Sequence, residues 1–259
     1  MKNQVNEVTV GDSYHFGGYE WLVLEVQDQK TLLLSKHVLE ERAYHRDSED
    51  VTWETSDIRN YLNGKFYDSF NETDKARIAE TQVKNSNNPW FSAAGGNNTT
   101  DKVFLLSLEE VMKYFGDSGQ LADRKRPYNA WWGFSDQYSK ARKAVSITKE
   151  TPWSWWWLRC PGGSNTDAVI VSIGGVISVL GGYVGKENGG VRPAMWINPE
   201  SAIQSSILVE HANEWAGYLQ YLWEWAISHP HSEPEFYGMY PACFDEWRDC
   251  ESSNEDEDK

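Results

Sequence analysis

Few residues of this chain stand in patterns tight enough to carry covalent chemistry. Gly116-Asp117-Ser118-Gly119 reproduces the tetrapeptide around the nucleophile of chymotrypsin-like proteases, but Gln120 follows and no suitable histidine motif precedes it. Triads are defined by geometry and roles, so a helix-terminating turn accounts for this fragment better. There is no Gly-x-Ser-x-Gly elbow, no phosphate loop and no His-Glu-x-x-His pair. His229, His231, Cys243 and Cys250 have one, eleven and six residues between them, which matches no compact zinc pattern. Cys160 adjoins an apolar run and reads as a small buried residue, since nothing in the sequence supplies it with a base. We therefore expect no catalytic residue, no metal ligand and no cofactor.

Binding chemistry is better represented. Arg59 and Arg192 each sit among apolar residues, where a buried guanidinium must be paired. The pairing reading has Asp57, Glu54 or Asp101 as partners; the functional reading is capture of a ligand carboxylate or phosphate. Six of the fourteen tryptophans, Trp131, Trp132, Trp153, Trp155, Trp156 and Trp157, lie within 27 residues. On a strand Trp155 and Trp157 share a face and Trp156 takes the other. One face is core, and the remainder, beside glycine-rich loops, suits contact with sugar, peptide or protein. The expected ligand-binding set is Trp131, Trp132, Trp155, Trp157, Tyr183 and Arg192.

The elements that must position these residues follow from pattern. Tyr19–Val26 and Thr31–Ser35 read as two strands around a polar turn. Ile58, Tyr61, Leu62 and Phe66 share a helical face with Ser56 as its cap, and a short helix follows, opened by Asn71. Residues 84–100 form a long polar loop. Val103–Leu106 reads as a buried strand running into a helix with a Ser107/Glu110 capping box, a Leu106/Val111 staple and an end at Gly116. Residues 117–150 carry no secure assignment. Trp155–Arg159 is a strand; nine of the twenty glycines then fall between Gly162 and Gly190, around a hairpin of Ala168–Val171 and Val176–Leu180 that turns at Gly174-Gly175. Val191–Ile197 is the closing strand. From Asn198 a wide apolar stripe runs to His229-Pro230, an amphipathic helix that must pack on the body or on a partner. Residues 230–250 form a Pro/aromatic segment in which Phe244 and Trp247 would share a helical face, and 251–259 a disordered acidic tail.

The chain has 259 residues, 39 Asp+Glu against 24 Lys+Arg, and a net charge of -15. Eight acidic and two basic residues fall in the last fifteen positions, so the tail holds a large share of that charge. An acidic chain does not neutralise phosphates, which disfavours direct nucleic-acid binding. No apolar run approaches the roughly 20 residues of a membrane span, Met1–Val10 has no signal-peptide core, and three cysteines are too few for a disulfide scaffold. The location expected from these features is a reducing cytoplasm; that it is a bacterial host's, or that the protein is phage-associated, is implied only by the family resemblance of the motifs below.

Four ordered motifs carry a family resemblance: Thr52-Trp53-Glu54-x-Ser56-Asp57-x-Arg59-x-x-Leu62-Asn63; Asp101-Lys102-Val103-Phe104-Leu105-Leu106-Ser107-x-Glu109-Glu110-Val111; Trp156-Trp157-Leu158-Arg159-x-Pro161-Gly162; and Gly190-Val191-Arg192-Pro193-Ala194-Met195-Trp196-Ile197. Over about residues 8 to 198 the chain resembles a domain family of unknown function common in gut bacteria and their phages, with Cys160 where that family usually has Ser. The closing motifs are also similar to the C-type-lectin-like fold, which includes formylglycine-generating enzymes and retroelement-diversified receptor-binding proteins; no motif matches the catalytic cysteines of the former. Gly238–Trp247 is similar to short tails of small phage-associated proteins, which implies a docking or capping role for the 230–250 segment, with Phe244 and Trp247 as its partner-docking residues. The resemblance implies an α+β, C-type-lectin-like domain over 1–198 with antiparallel strands and flanking helices; the amphipathic helix over 199–229, read from its apolar stripe, follows it. The function expected is a non-enzymatic phage or prophage module that binds a protein or glycan. The alternative is an acidic inhibitor of a basic host defence or nucleic-acid-binding protein, because charge of this sign steers association toward a basic surface.

Overall fold

The computed structural model describes residues 8–47, 49–117, 135–147 and 153–198, together with Gly217 and Gln220. The chain divides into two compact units, Met1–Pro199 and Glu200–Lys259. Of the second, Gly217 and Gln220 are helical; the rest of the expected helix over 199–229, and the docking segment and tail beyond it, lie outside the described residues.

The first unit is a mixed α+β fold with mostly antiparallel sheets and few helices. One sheet runs β1 (Ser13–Phe16), β2 (Tyr19–Gln27), β3 (Lys30–Ser35) and β13 (Ala194–Ile197), all antiparallel. The turn between β2 and β3 places Asp28 and Gln29 at φ 49° and 66°, the double left-handed geometry whose twist matches a tight hairpin. The other sheet runs β11 (Ile177–Tyr183), β10 (Asp167–Val171), β9 (Trp156–Pro161), β12 (Gly190–Val191) and β4 (Glu40–Glu41), antiparallel except where β12 meets β9. Two short pairs accompany these sheets: β5 (Thr81–Val83) with β6 (Thr99–Asp101), and β7 (Ala144–Val145) with β8 (Trp153–Ser154).

The closing strand expected over 191–197 is two strands. Arg192-Pro193 breaks it, sending β12 to the second sheet and β13 to the first. The chain makes the opposite passage between β3 and β4, and the two crossings are sewn together: Ser35 N donates to Pro193 O at 2.8 Å, Arg192 Nε to Ser35 O at 2.8 Å, and Leu39 N to Val191 O at 3.0 Å.

Helix starts follow the side chains that cap them. Ser56 caps α1 (Asp57–Tyr61), which widens into a π turn over Leu62–Phe66, and Asn71 caps α2 (Glu72–Arg77). The Ser107/Glu110 capping box forms on α3 (Leu108–Phe115), and Gly116 ends that helix at φ 91°. A one-turn helix, α4 (Ser139–Arg142), follows. Val103–Leu106 is buried as expected but joins no ladder beyond one bridge, Phe104 to Ala194. Its backbone groups go elsewhere: Asn63 binds both polar groups of Val103, and Arg159 takes the carbonyls of Leu105 and Leu106. With those groups satisfied by side chains and by β9, no neighbouring strand is needed. The loop over 84–100 is polar yet pinned, because Asn88 is 2% exposed and donates to Pro161 O and Val179 O while accepting from Trp90 N and Phe91 N.

One apolar core spans the unit. Trp21, Trp53, Trp156 and Trp157 are fully buried, each worth an upper bound of roughly 4–6 kcal/mol from the area an aromatic side chain removes from water.

Candidate functional site

Trp155 lies between β8 and β9, one residue before the ladder closes, and is only partly buried, whereas both faces of β9 are covered. Its ring meets Trp157 edge to face, centroids 4.8 Å apart. The loop from β11 to β12 runs directly over this pair because it carries glycine: a Cβ on Gly189 would fall 1.8 Å from Trp157 Nε1, and one on Gly190 2.3 Å from the Trp155 carbonyl. That close approach brings Lys186 and Asn188 to one side of Trp155. The other side is the β10–β11 turn, closed by Ser172 N donating to Val176 O and Gly175 N donating to Ser172 O, both at 2.8 Å. Its glycine tip rests on α4, where a Cβ on Gly175 would lie 1.8 Å from Ser139 O.

Between the two sides is an open groove of about 590 Å³ with Trp155 and Ile170 in it, Ile173 at the turn, and Ser172, Lys186 and Asn188 as its polar groups. Ile173 is 53% exposed. The size lies within the range of about 300–1,000 Å³ seen for small-ligand sites, as does a largely apolar lining with a few polar groups. The side chains of Lys186 and Asn188 make no hydrogen bond or ion pair among the described residues. Ser172 Oγ accepts from Val176 N at 3.2 Å, which leaves its hydroxyl proton available.

The expected binding residues part company here. Trp155 lines the groove. Trp157 is fully buried behind it with its indole N–H spent on Arg42 O at 2.9 Å, so it can support a ligand contact but not make one. Tyr183 is exposed at the end of β11, outside the groove lining. Arg192 is 3% exposed, closed to a ligand and, among the described residues, not ion-paired. It stacks on Trp156 and Phe115, with Nε on Ser35 O and Nη1 without a partner. Burial pushes its pKa down to about 9, which still leaves the guanidinium charged at neutral pH. Its work is to hold the crossing between the sheets. Trp131, Trp132, Phe244 and Trp247 lie outside the described residues, as do Ser118 of the protease-like fragment and the His229, His231, Cys243 and Cys250 set. Ile170, Ser172, Ile173, Lys186 and Asn188 complete the groove; their sequence signal is only their place on strand β10, in the turn of the glycine hairpin and in the loop that follows it.

Other charged groups are structural. Arg59 pairs with Asp101 at 2.7 Å, one of the partnerships expected, and Asp101 also accepts from Trp53 Nε1 and Thr99 Oγ1. Arg159, 3% exposed, makes a two-pronged pair with Glu110 at 2.5 and 2.9 Å and donates to Leu105 O. Cys160 is buried and accepts from Leu108 N, and burial pushes its thiol up to about 11, away from the thiolate a nucleophile needs.

A second cleft, about 300 Å³, lies on the far side of the 185–189 loop. It is lined by Glu41, Arg42, Arg46, Asp57 and Glu187, its charges largely set against one another. Arg42 stacks 3.6 Å over Tyr61 and lies 3.5 Å from Glu40; the Asp57 carboxylate takes Arg46 N and faces His45. Lys186 and Asn188 thus face one cavity and Glu187 the other.

Among the described residues no three His, Cys, Asp or Glu side chains are grouped to hold a metal ion, and no helix is long and apolar enough to cross a membrane. No curated protein and no solved structure matches the chain. The model of one family matches residues 28–199, which hold all four motifs and every residue of the groove, and the chain belongs to that family, described as Domain of unknown function (DUF6273).

Proposed function

We propose that this domain is a non-enzymatic binding module that takes a protein or glycan ligand in the Trp155 groove. One observation carries the reading: a partly exposed tryptophan, braced by a buried one, stands in a preformed groove beside three polar side chains free to donate. Preformed sites of this kind bind without first spending free energy on ordering. The buried, protonated Cys160 and the use of Arg59, Arg159 and Arg192 inside the framework support a non-catalytic role. We also read the architecture as C-type-lectin-like, in support of which the last strand, β13, returns to β3 of the first sheet and the glycine hairpin sits in the second. A phage or prophage setting rests on the motif resemblance. A glycan array and a lysate pull-down, each run with the full chain and with Trp155→Ala, test the proposal: specific capture lost in the variant is expected. Capture that Trp155→Ala leaves intact, or turnover of a bound ligand, would sink it.

A second reading, an acidic inhibitor of a basic host protein, draws on the net charge of -15. It predicts capture that fails at high salt and is indifferent to Trp155→Ala.

A further inference from the structure

We infer that the Trp155 groove is a subsite for an acidic sugar, a pyranose ring carrying a carboxylate. The inference rests on the binding-module reading above and names its ligand class. The charge of the groove is the first ground. In a chain of net charge -15, no carboxylate among the described residues lines it, and its one charged lining residue among them is Lys186, which has no ion-pair partner there. The loop alternation that turns Lys186 and Asn188 toward Trp155 turns Glu187 away into the other cleft. Because salt screens exposed charges beyond about 8 Å at physiological strength, the Lys186 ammonium in the groove, and not the net charge of the chain, decides what charge the groove accepts.

The shape of the polar set is the second ground. An indole held edge to face by its neighbour offers a flat apolar surface of fixed orientation, which suits the C–H face of a sugar ring. The Asn188 amide and the Ser172 hydroxyl can serve ring hydroxyls, and Lys186 the carboxylate. A peptide C-terminus would need the same cation, but its carboxylate is ordinarily taken by a nest of backbone N–H groups. At the groove, the Ser172 and Gly175 N–H groups are already engaged in the turn.

The test uses the full chain and three probes: trigalacturonate, its fully methyl-esterified form, and sialyllactose, titrated calorimetrically. The free acid should bind on the order of tenfold more tightly than the ester at low salt, a preference that shrinks as salt is raised. Lys186→Gln should erase the preference, so that acid and ester bind alike, and Lys186→Arg should retain it. Trp155→Ala should lose all three ligands, with an unaltered unfolding midpoint for Lys186→Gln as the control on folding. Sialyllactose against trigalacturonate distinguishes the two sources of a carboxylated ring. Equal affinity for acid and ester, or a preference that survives Lys186→Gln, overturns the inference. So does binding of only a peptide or a neutral glycan in a Trp155-dependent way, although the binding-module reading then stands. Should no ligand of any class depend on Trp155, both fall together.

Discussion

Two regions of this domain treat polar groups in opposite ways. In the framework around Arg159 and Asp101, buried charge is met: Arg159 by Glu110 and a backbone carbonyl, Asp101 by Arg59, Trp53 and Thr99. Around Trp155 the side chains of Lys186 and Asn188 are unengaged among the described residues and Ile173 is exposed. All four sequence motifs map to the framework, and every groove residue lies outside them. Satisfied buried polar groups specify one structure, whereas available ones at a rigid apolar surface provide recognition. Motif residues in this protein therefore report how it folds, and the turns between motifs are where a ligand is read.

If that division is right, damage to the framework should be paid in stability and damage to the groove in binding. Glu110→Ala is the most severe test, because it strands the buried Arg159 guanidinium and opens the α3 capping box. We expect a loss of about 3–5 kcal/mol in urea unfolding, the range for removing one partner of a buried pair. A loss under about 1 kcal/mol would mean the pair is effectively solvated.

Alkaline pH probes the same interior. The Cys160 thiol is raised by burial from 9.0 to about 11, so the folded state holds a proton that the unfolded chain gives up. Its contribution is complete below about pH 9 and is lost as pH rises toward 11, up to roughly 2–3 kcal/mol. The stability of wild type relative to Cys160→Ala should fall across that window; parallel pH curves would show that the thiol is not sealed.

Gly189→Ala lies on the boundary between the regions. Its methyl group would meet the Trp157 indole, and we expect about 1–3 kcal/mol of destabilisation with a changed near-ultraviolet aromatic dichroism and weakened ligand binding. Trp155→Ala should have the smallest effect on folding. It removes one edge-to-face pair, worth about 0.5–1.5 kcal/mol, while ligand capture disappears. A Trp155 variant destabilised as much as Glu110→Ala would abolish the distinction.

How much of this could be read from sequence follows the range of the interactions concerned. The caps at Ser56, Asn71 and Ser107, the glycine end of α3 and both hairpins are local, their partners lying a few residues away. The Arg59–Asp101 pair was among the alternatives because both residues stood in conspicuous surroundings. Arg159 with Glu110 was not anticipated: 49 residues separate them, and Glu110 already had a reason to be there as a capping residue. The split of 191–197 between two sheets was hidden because Arg192-Pro193 breaks an otherwise continuous apolar run only when the partners of each half are known.

By itself, then, the sequence determined the local elements, the aromatic core that pays for ordering them and the placement of much of the charge in the tail, since each depends on residue type and short spacing. Only the tertiary structure decided which tryptophan meets solvent and which charges are spent inside. Trp155 and Trp157 are two residues apart on one face, yet one lies in the groove and the other is fully buried. What separates them is a glycine loop arriving from more than thirty residues away, and no local pattern records where it lands.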